Sequence, residues 1–313
     1  MIKNATIYRI ATPNALLSVD HMEECLQKAA FVPCSGTQAR AVGWLEPRGE
    51  DYGPIVELIA GQRILKLMIE TKSVPGAQVR TNAQAAADMI EAETGRKSGK
   101  KEMKALREDA LLALLPNAFA RQTGVWVWVD LATRTVVIGS VVQRQLDEVV
   151  TMLVRTFDDL ALQLLQTKVT PQTAMTSWLA ARYDDDQPDA FAIGRECELR
   201  SGGEEKSVVR FSRHNLDNDQ VRKHIAEGKL PTRLALSWEG RVGFVLTEAM
   251  QLRKIAFLEG VFDDRSDDSE SGFDTDVALT TGELGKLIPA LVTALGGEVM
   301  TAQGCGLVMG SPE

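Results

Sequence analysis

From residue 78 to residue 115 the chain carries no aromatic side chain, and Ala, Glu, Lys, Leu and Met dominate. Such residues lose little rotamer freedom in a helix. The flanking sequence is of the opposite kind. Val125-Trp126-Val127-Trp128-Val129 alternates β-branched and aromatic residues, which suits a pleated, half-buried surface. A purely helical insert between strand-forming stretches excludes regular βαβ alternation and predicts an α+β chain with a projecting helical hairpin. The two helices are predicted over residues 78–93 and 102–115, broken by Gly95 and Gly99 and ended by Pro116.

The remaining pattern is also mixed. Strands are predicted over 5–11, 42–45, 55–60, 63–69, 125–129 and 135–142, and helices over 19–29, with Ser18 as N-cap, and 143–157. Gln166 to Pro171 reads as a domain boundary. Beyond it come a helix at 173–181, strands at 191–199 and 207–211, a helix at 217–227 and a hairpin of 232–238 with 241–246. The acidic stretch Asp263–Asp276 is expected to be a loop, the last helix to run from Thr281 to Leu295 despite Pro289, and the tail from Gly296 to fray.

With 35 Lys and Arg against 43 Asp and Glu, the net charge is −8. That balance alone makes nucleic acid a poor first guess, but it does not say where the charges sit. Two basic islands stand out. Arg96 to Arg107 holds six cations and one acid in twelve positions, with Lys97, Lys100, Lys101 and Lys104 at spacings that share a face if helical. Lys206 to Arg233 holds Arg210, Arg213, Arg222, Lys223 and Lys229 besides its two ends, with His214 and His224 beside them. Both fit contact with a polyanion, and both fit an ordinary solvated surface. Phe119, flanked by Ala118 and Ala120 with Arg121 next, reads equally as core or as a contact with a second subunit. Trp126 and Trp128 read as core and sheet-surface residues, and Cys34 as a small buried hydrophobe.

Enzyme chemistry finds little support. Asp184-Asp185-Asp186 with Asp189, and the seven acids of Asp263–Asp276, are the places where Mg²⁺ could support a phosphoesterase or nuclease, the alternative reading. The second stretch fails the EF-hand pattern at Ser269 and Thr275. Gly95 to Lys101 is one residue short of a phosphate loop, and no Gly-x-Ser-x-Gly elbow exists. Four scattered cysteines and three histidines predict no transition-metal centre and no cofactor. The start lacks the apolar segment of a signal peptide, and no apolar run approaches the ~18 residues of a membrane span, so a cytoplasmic protein is expected.

Several stretches together resemble the recombination-associated RdgC family of bacterial nucleoid proteins. They are Ile7-Tyr8-Arg9, Phe31-Val32-Pro33-Cys34, Gly43-Trp44, Leu114 to Arg121, Glu227-Gly228-Lys229, Leu234 to Trp238 and Thr281-Gly282-Glu283-Leu284, in order over residues 1–298, with 299–313 as an extension. The family commonly has a basic residue where Asn117 stands, and Lys-Gln where Arg213-His214 stand. The resemblance implies a non-enzymatic, nucleoid-associated protein that binds double-stranded DNA without marked sequence preference and restrains the RecA recombinase. It implies a horseshoe-shaped subunit closing with a second copy as a ring around the duplex. On that reading the centre spans 1–75 and 124–165, the tip 76–123, the base 166–298 and the tail 299–313. Arg213, His214 and Lys229 match family positions facing the DNA, and Phe119 is the candidate dimer contact. Lys97, Lys100, Lys101, Lys104, Arg121, Arg222 and Lys223 complete the candidate DNA-binding set.

Overall fold

The structure is a computed structural model, and it describes residues 2–12, 18–181, 190–202, 207–258 and 269–299, with side chains from 272 onward in the last segment. The chain is α+β, and every pair between named strands is antiparallel among the described residues. It divides into two compact units, each formed from the described parts of its segments. One takes Met1–Ala11, Ala132–Val142 and Leu162–Glu313; the other takes Thr12–Leu131 and Gln143–Ala161.

The unit formed from Thr12–Leu131 and Gln143–Ala161 centres on β4 (Gln62–Lys72). One edge of β4 pairs with β3 (Glu57–Ile59) and then β2 (Arg40–Leu45), and the other pairs along its length with β5 (Ala120–Asp130). Ile64, Leu65, Leu67, Val127, Trp128 and Val129 are buried in its core. Helix α1 (Val19–Lys28) starts as expected at Ser18, whose hydroxyl accepts from the His21 amide. Its neighbour is the amphipathic α4 (Gln143–Thr156), which buries Leu146, Val149 and Leu153. The aromatic-free stretch forms a hairpin of α2 (Gly76–Thr94) and α3 (Lys100–Leu114). Gly95, at φ 71°, closes α2 in the left-handed conformation that glycine adopts freely.

Two of the motif stretches are structural in this unit. Gly43 lies against the backbone of residues 30–31, where a Cβ would fall 2.4 Å from the Phe31 Cα. The approach lets the Phe31 amide donate to the Trp44 carbonyl at 2.7 Å. Trp44 is buried and donates from Nε1 to the Thr156 hydroxyl at 2.9 Å. Cys34, expected to be buried, is instead half-exposed, and its backbone amide donates to buried Glu70 at 2.7 Å. The residue serves a loop anchor, and a loop anchor does not require its own side chain to be covered.

The other unit orders its strands β6-β1-β12-β11-β10-β8-β9, where β1 is Ala5–Ile10, β6 Thr135–Ile138, β8 Phe191–Ser201, β9 Val208–Ser212, β10 Lys229–Trp238, β11 Val242–Thr247 and β12 Gln251–Phe257. A short β7 (Leu162–Leu164) also pairs with β1. Helix α5 (Pro171–Ala180) packs on β10 and β11, and α6 (Asp219–Ala226) packs on α5 and β10. Neither β7 nor β12 is predicted from the sequence, because both are short or irregular; β12 carries Lys254 at φ 51°.

The C-terminal expectations need correction. Helix α7 (Ser269–Ala294) begins inside the acidic stretch, so residues 269–276 are helical and not loop; Asp263–Asp268 lie outside the described residues. Nor does the chain fray at 296–299, while residues 300–313 of the expected frayed tail lie outside the described residues. The Val299 amide donates to the Gln166 carbonyl, and Glu298 forms an ion pair with Arg9 at 2.8 Å. Within α7, Gly272–Ala294 is long and apolar enough to cross a membrane by length and composition, which the sequence reading overlooked. Half of an 18-residue window within it is buried, and its Glu283 is held by Arg241 at 2.6 Å. These are the features of a core helix.

Two expectations follow. Gly43→Ala must push back the Phe31 backbone, and should cost about 2 kcal/mol or more, read as a lower urea midpoint at unchanged m. The Arg241 hydrogen bond holds the Glu283 carboxyl below its ordinary value despite burial. A depressed carboxylate stabilises the fold above its unfolded pKa and loses that contribution as pH falls through its folded pKa. Glu283→Gln should therefore lower Tm at pH 7 by on the order of 5 °C, and the gap from the parent should close as the solution is acidified below the carboxylate range.

Candidate nucleic-acid interface

The loop and helix start at the end of the hairpin carry the first basic island. Lys97 stands in the loop before α3, and Lys100, Lys101 and Lys104 stand on α3 itself. The expectation of one shared face holds for Lys100, Lys101 and Lys104, which lie within an arc of about 100° on α3, but not for Lys97, which is not helical. All four are exposed. Lys104 reaches Glu108 at 3.8 Å, and Arg96 pairs with Glu102 at 3.0 Å. Among the described residues, Lys97, Lys100 and Lys101 form no ion pair. Residues 91–108 hold six cations and four carboxylates, so the local surplus is two positive charges.

The position of these lysines is more informative than their number. A helix N-terminus is the positive end of the backbone dipole and is stabilised by acids, not cations. Here Lys100 and Lys101 open α3, only Glu102 is acidic in the first turn, and no side chain caps it. The placement works against local helix stability and favours an incoming anion, since dipole and lysines attract it together.

Below the hairpin, a short 3-10 turn at Leu115–Asn117 buries Leu115 and leads into β5. Phe119 is 93% exposed, so the core alternative for this ring is excluded within the chain. Arg121 follows it, exposed, at the start of β5 opposite Thr71.

The second island differs in kind, because much of its charge is already matched. The Arg222 guanidinium bonds to Asp217 at 2.7 Å and Asp219 at 3.2 Å, and these bonds hold it even more firmly protonated. Lys229 is mostly buried and donates to Glu227 at 3.0 Å and to His224 Nδ1 at 3.0 Å. The hydrogen bond from Lys229 holds the Glu227 carboxyl below its ordinary range. Arg213 and Lys223 are exposed and form no ion pair among the described residues. Arg213 takes φ 55° in the bend after β9, and His214 beside it tilts against Phe211 with ring centres 5.7 Å apart. Lys206 lies outside the described residues.

One arrangement was missed from the sequence. Arg200 on β8, Arg210 on β9 and Arg233 on β10 converge on the buried carboxylate of Glu198 at 3.2, 2.7 and 3.7 Å. The signal was present: residues 196, 198 and 200 share a face of a strand by alternation, and β9 pairs Arg210 with Glu198. Burial pushes the Glu198 carboxyl up, but hydrogen bonds from Arg210 and Thr232 and the charge of Arg233 outweigh it, so the group stays ionised.

For metal chemistry, no group of three or more His, Cys, Asp or Glu side chains fit to hold an ion occurs among the described residues. Asp184–Asp186 and Asp189 lie outside them. Cys197 is buried, and burial pushes its thiol up to about 12, so it is no nucleophile. Trp128 is buried with Nε1 on Gln62, and Trp126 lies under the Lys66 ammonium at 5.1 Å.

Comparison with known proteins gives a consistent result. Residues 1–298 match the family model described as "Putative exonuclease, RdgC". The chain is 37% identical over 307 residues to the recombination-associated protein RdgC of Dechloromonas aromatica, covering 96% of this chain and 99% of that one. It is 39% identical over 299 residues to the protein of the same name from Bordetella pertussis, covering 95% and 98%. Janthinobacterium sp. has another relative of that name at 38% identity over 300 residues. With nearly complete coverage on both sides, the chain belongs to the RdgC family of recombination-associated proteins.

Proposed function

We propose that this protein binds double-stranded DNA without sequence preference, as a horseshoe-shaped subunit that closes with a second copy into a ring around the duplex. In this way it restrains RecA-mediated recombination by limiting access to DNA on the nucleoid. The observation that carries the reading is the exposed set Lys97, Lys100 and Lys101, without an ion pair among the described residues, at the dipole-positive start of α3 in a chain of net charge −8. Lysines of this kind meet phosphates as flexible point charges and carry no base information. Arg121, Arg213, His214, Arg222, Lys223 and Lys229 extend the proposed surface, the last two cations of that group differing in freedom: Lys223 is exposed and Lys229 is tied to Glu227. Phe119 supplies an exposed apolar ring for the contact between copies. Closure of a ring adds retention that individual contacts do not supply.

Duplex affinity should fall linearly in a plot of log K against log salt, with a slope of several units. Lys100→Glu/Lys101→Glu should weaken unrelated duplexes by similar factors and flatten the slope by about 2. Fluorescence anisotropy with two duplexes of different sequence reads both quantities; a loss confined to one duplex contradicts the reading.

The family description names an exonuclease, so the alternative, metal-dependent phosphoester cleavage through Asp184–Asp186 or Asp263–Asp268, is tested on the same material. Protein loaded on a closed circular plasmid should survive a salt wash that strips it from the linearised plasmid, and the DNA should stay intact with Mg²⁺ or Mn²⁺. Shortened DNA, restored to full length by Asp→Asn changes, establishes the nuclease instead.

A further inference from the structure

The Arg200, Arg210 and Arg233 cluster is more than a buried charge needs. One carboxylate is balanced by one cation, and Arg210 at 2.7 Å already supplies it. The other two guanidiniums stand at 3.2 and 3.7 Å, at the limit of what Glu198 can use. The second carboxylate on this face, Glu196, does not absorb the surplus, because Lys254 holds it at 2.7 Å. Two positive charges are therefore left over.

They are accessible. Helices α5 and α6 pack on β10, and Cys197, Leu199, Phe211 and Leu234 are buried between the strands and that layer. By strand alternation the charged residues take the opposite face. There the side chains of Arg200, Arg210 and Arg233 are 49%, 70% and 40% exposed. A cleft of about 290 Å³ opens beside Arg210 and Arg233; Glu196, Glu198, Ser212, Cys197 and Phe211 complete its lining, and Arg200 stands outside it. Glu198 uses at most two N–H donors of any one guanidinium and leaves the rest directed elsewhere.

We infer that this face of β8, β9 and β10 is a phosphate-binding site, in which Arg200, Arg210 and Arg233 grip one or two phosphate groups and Glu198 holds the three guanidiniums in position. A guanidinium matches a phosphate in a two-pronged geometry that an ammonium cannot reproduce. The carboxylate beneath reduces the ordering cost of long side chains before the ligand arrives. The inference rests on the proposed duplex binding and adds to it three residues and a positioning carboxylate outside the surface described above. The source of phosphate it favours is the duplex backbone.

The variant Arg200→Gln/Arg233→Gln leaves the Arg210–Glu198 pair intact, so the buried carboxylate keeps a partner and the fold is preserved, with Tm as the check. Against a 30-bp fluorescein-labelled duplex, the slope of log K on log salt should drop by about 2, with affinity lowered on the order of tenfold near 100 mM salt. A second arm measures the rise in Tm on adding sodium pyrophosphate at fixed ionic strength. A reduced slope supports the site with DNA as its ligand. An unchanged slope, with pyrophosphate stabilising the parent but not the variant, supports the site for free phosphate compounds. If a parent with a steep slope is matched by the variant in both arms, the arginines serve Glu198 alone and the inference is overturned while duplex binding stands. A parent that ignores salt overturns both. Should the double variant unfold, each single substitution is measured alone, with an expected change of about 1 in slope.

Discussion

A carboxylate removed from water must be given a partner, and four buried glutamates organise much of this chain. Glu57 is held by Arg48 at 2.8 Å. Glu70 accepts from the Cys34 amide and from Gln122 at 2.6 Å, which ties the 31–34 loop to β4 and β5. Glu283 takes Arg241 and fixes the turn between β10 and β11 to the long C-terminal helix. In these three the donors match the need. Glu198 has three arginines around it, and the inferred phosphate site rests on that imbalance.

The same constraint explains what the family motifs report. Arg9 closes on Glu298, Gly43 admits the backbone of residues 30–31, Trp44 reaches Thr156, and Glu283 holds Arg241. Each answers to packing or to an ion pair, so these stretches carry structural residues. The exposed lysines of α3 answer to no such requirement. A phosphate-facing cation works from many positions on a surface, and it leaves no sharp pattern in a single sequence.

Periodicity made the helices readable, because one apolar stripe or one composition sufficed. The predicted helices at 78–93 and 102–115 are observed at Gly76–Thr94 and Lys100–Leu114. Strands with strict alternation, such as 125–129, were equally legible. What failed were elements whose pattern depends on partners far away. β12 joins β1 and β11 with an irregular register, and the acidic start of α7 carries charges that disguise a helix. The basic islands were visible as counts, but not their pairing. Local spacing offers the Arg222–Asp219 and Glu198–Arg200 pairs, but it does not show that Asp217 joins the first or that Arg210 and Arg233 join the second from other strands.

Pairing, and not net charge, decides what a polyanion meets. At physiological salt the screening length is about 8 Å, so a duplex at one surface is blind to carboxylates across the molecule. On the proposed function it would meet instead the local surplus: two charges at the start of α3 and two on the β8–β10 face. Surpluses so small would give each subunit of the proposed ring a weak hold, easily lost to salt. A binder of this kind gains retention from several separated contacts acting on one duplex, since the second contact forms at the high effective concentration set by the first. Doubling the chain doubles those contacts without adding charge to any one of them. In the proposed ring, enclosure would make release depend on opening the assembly and no longer on breaking each contact, so that a net charge of −8 would be no bar to staying on DNA.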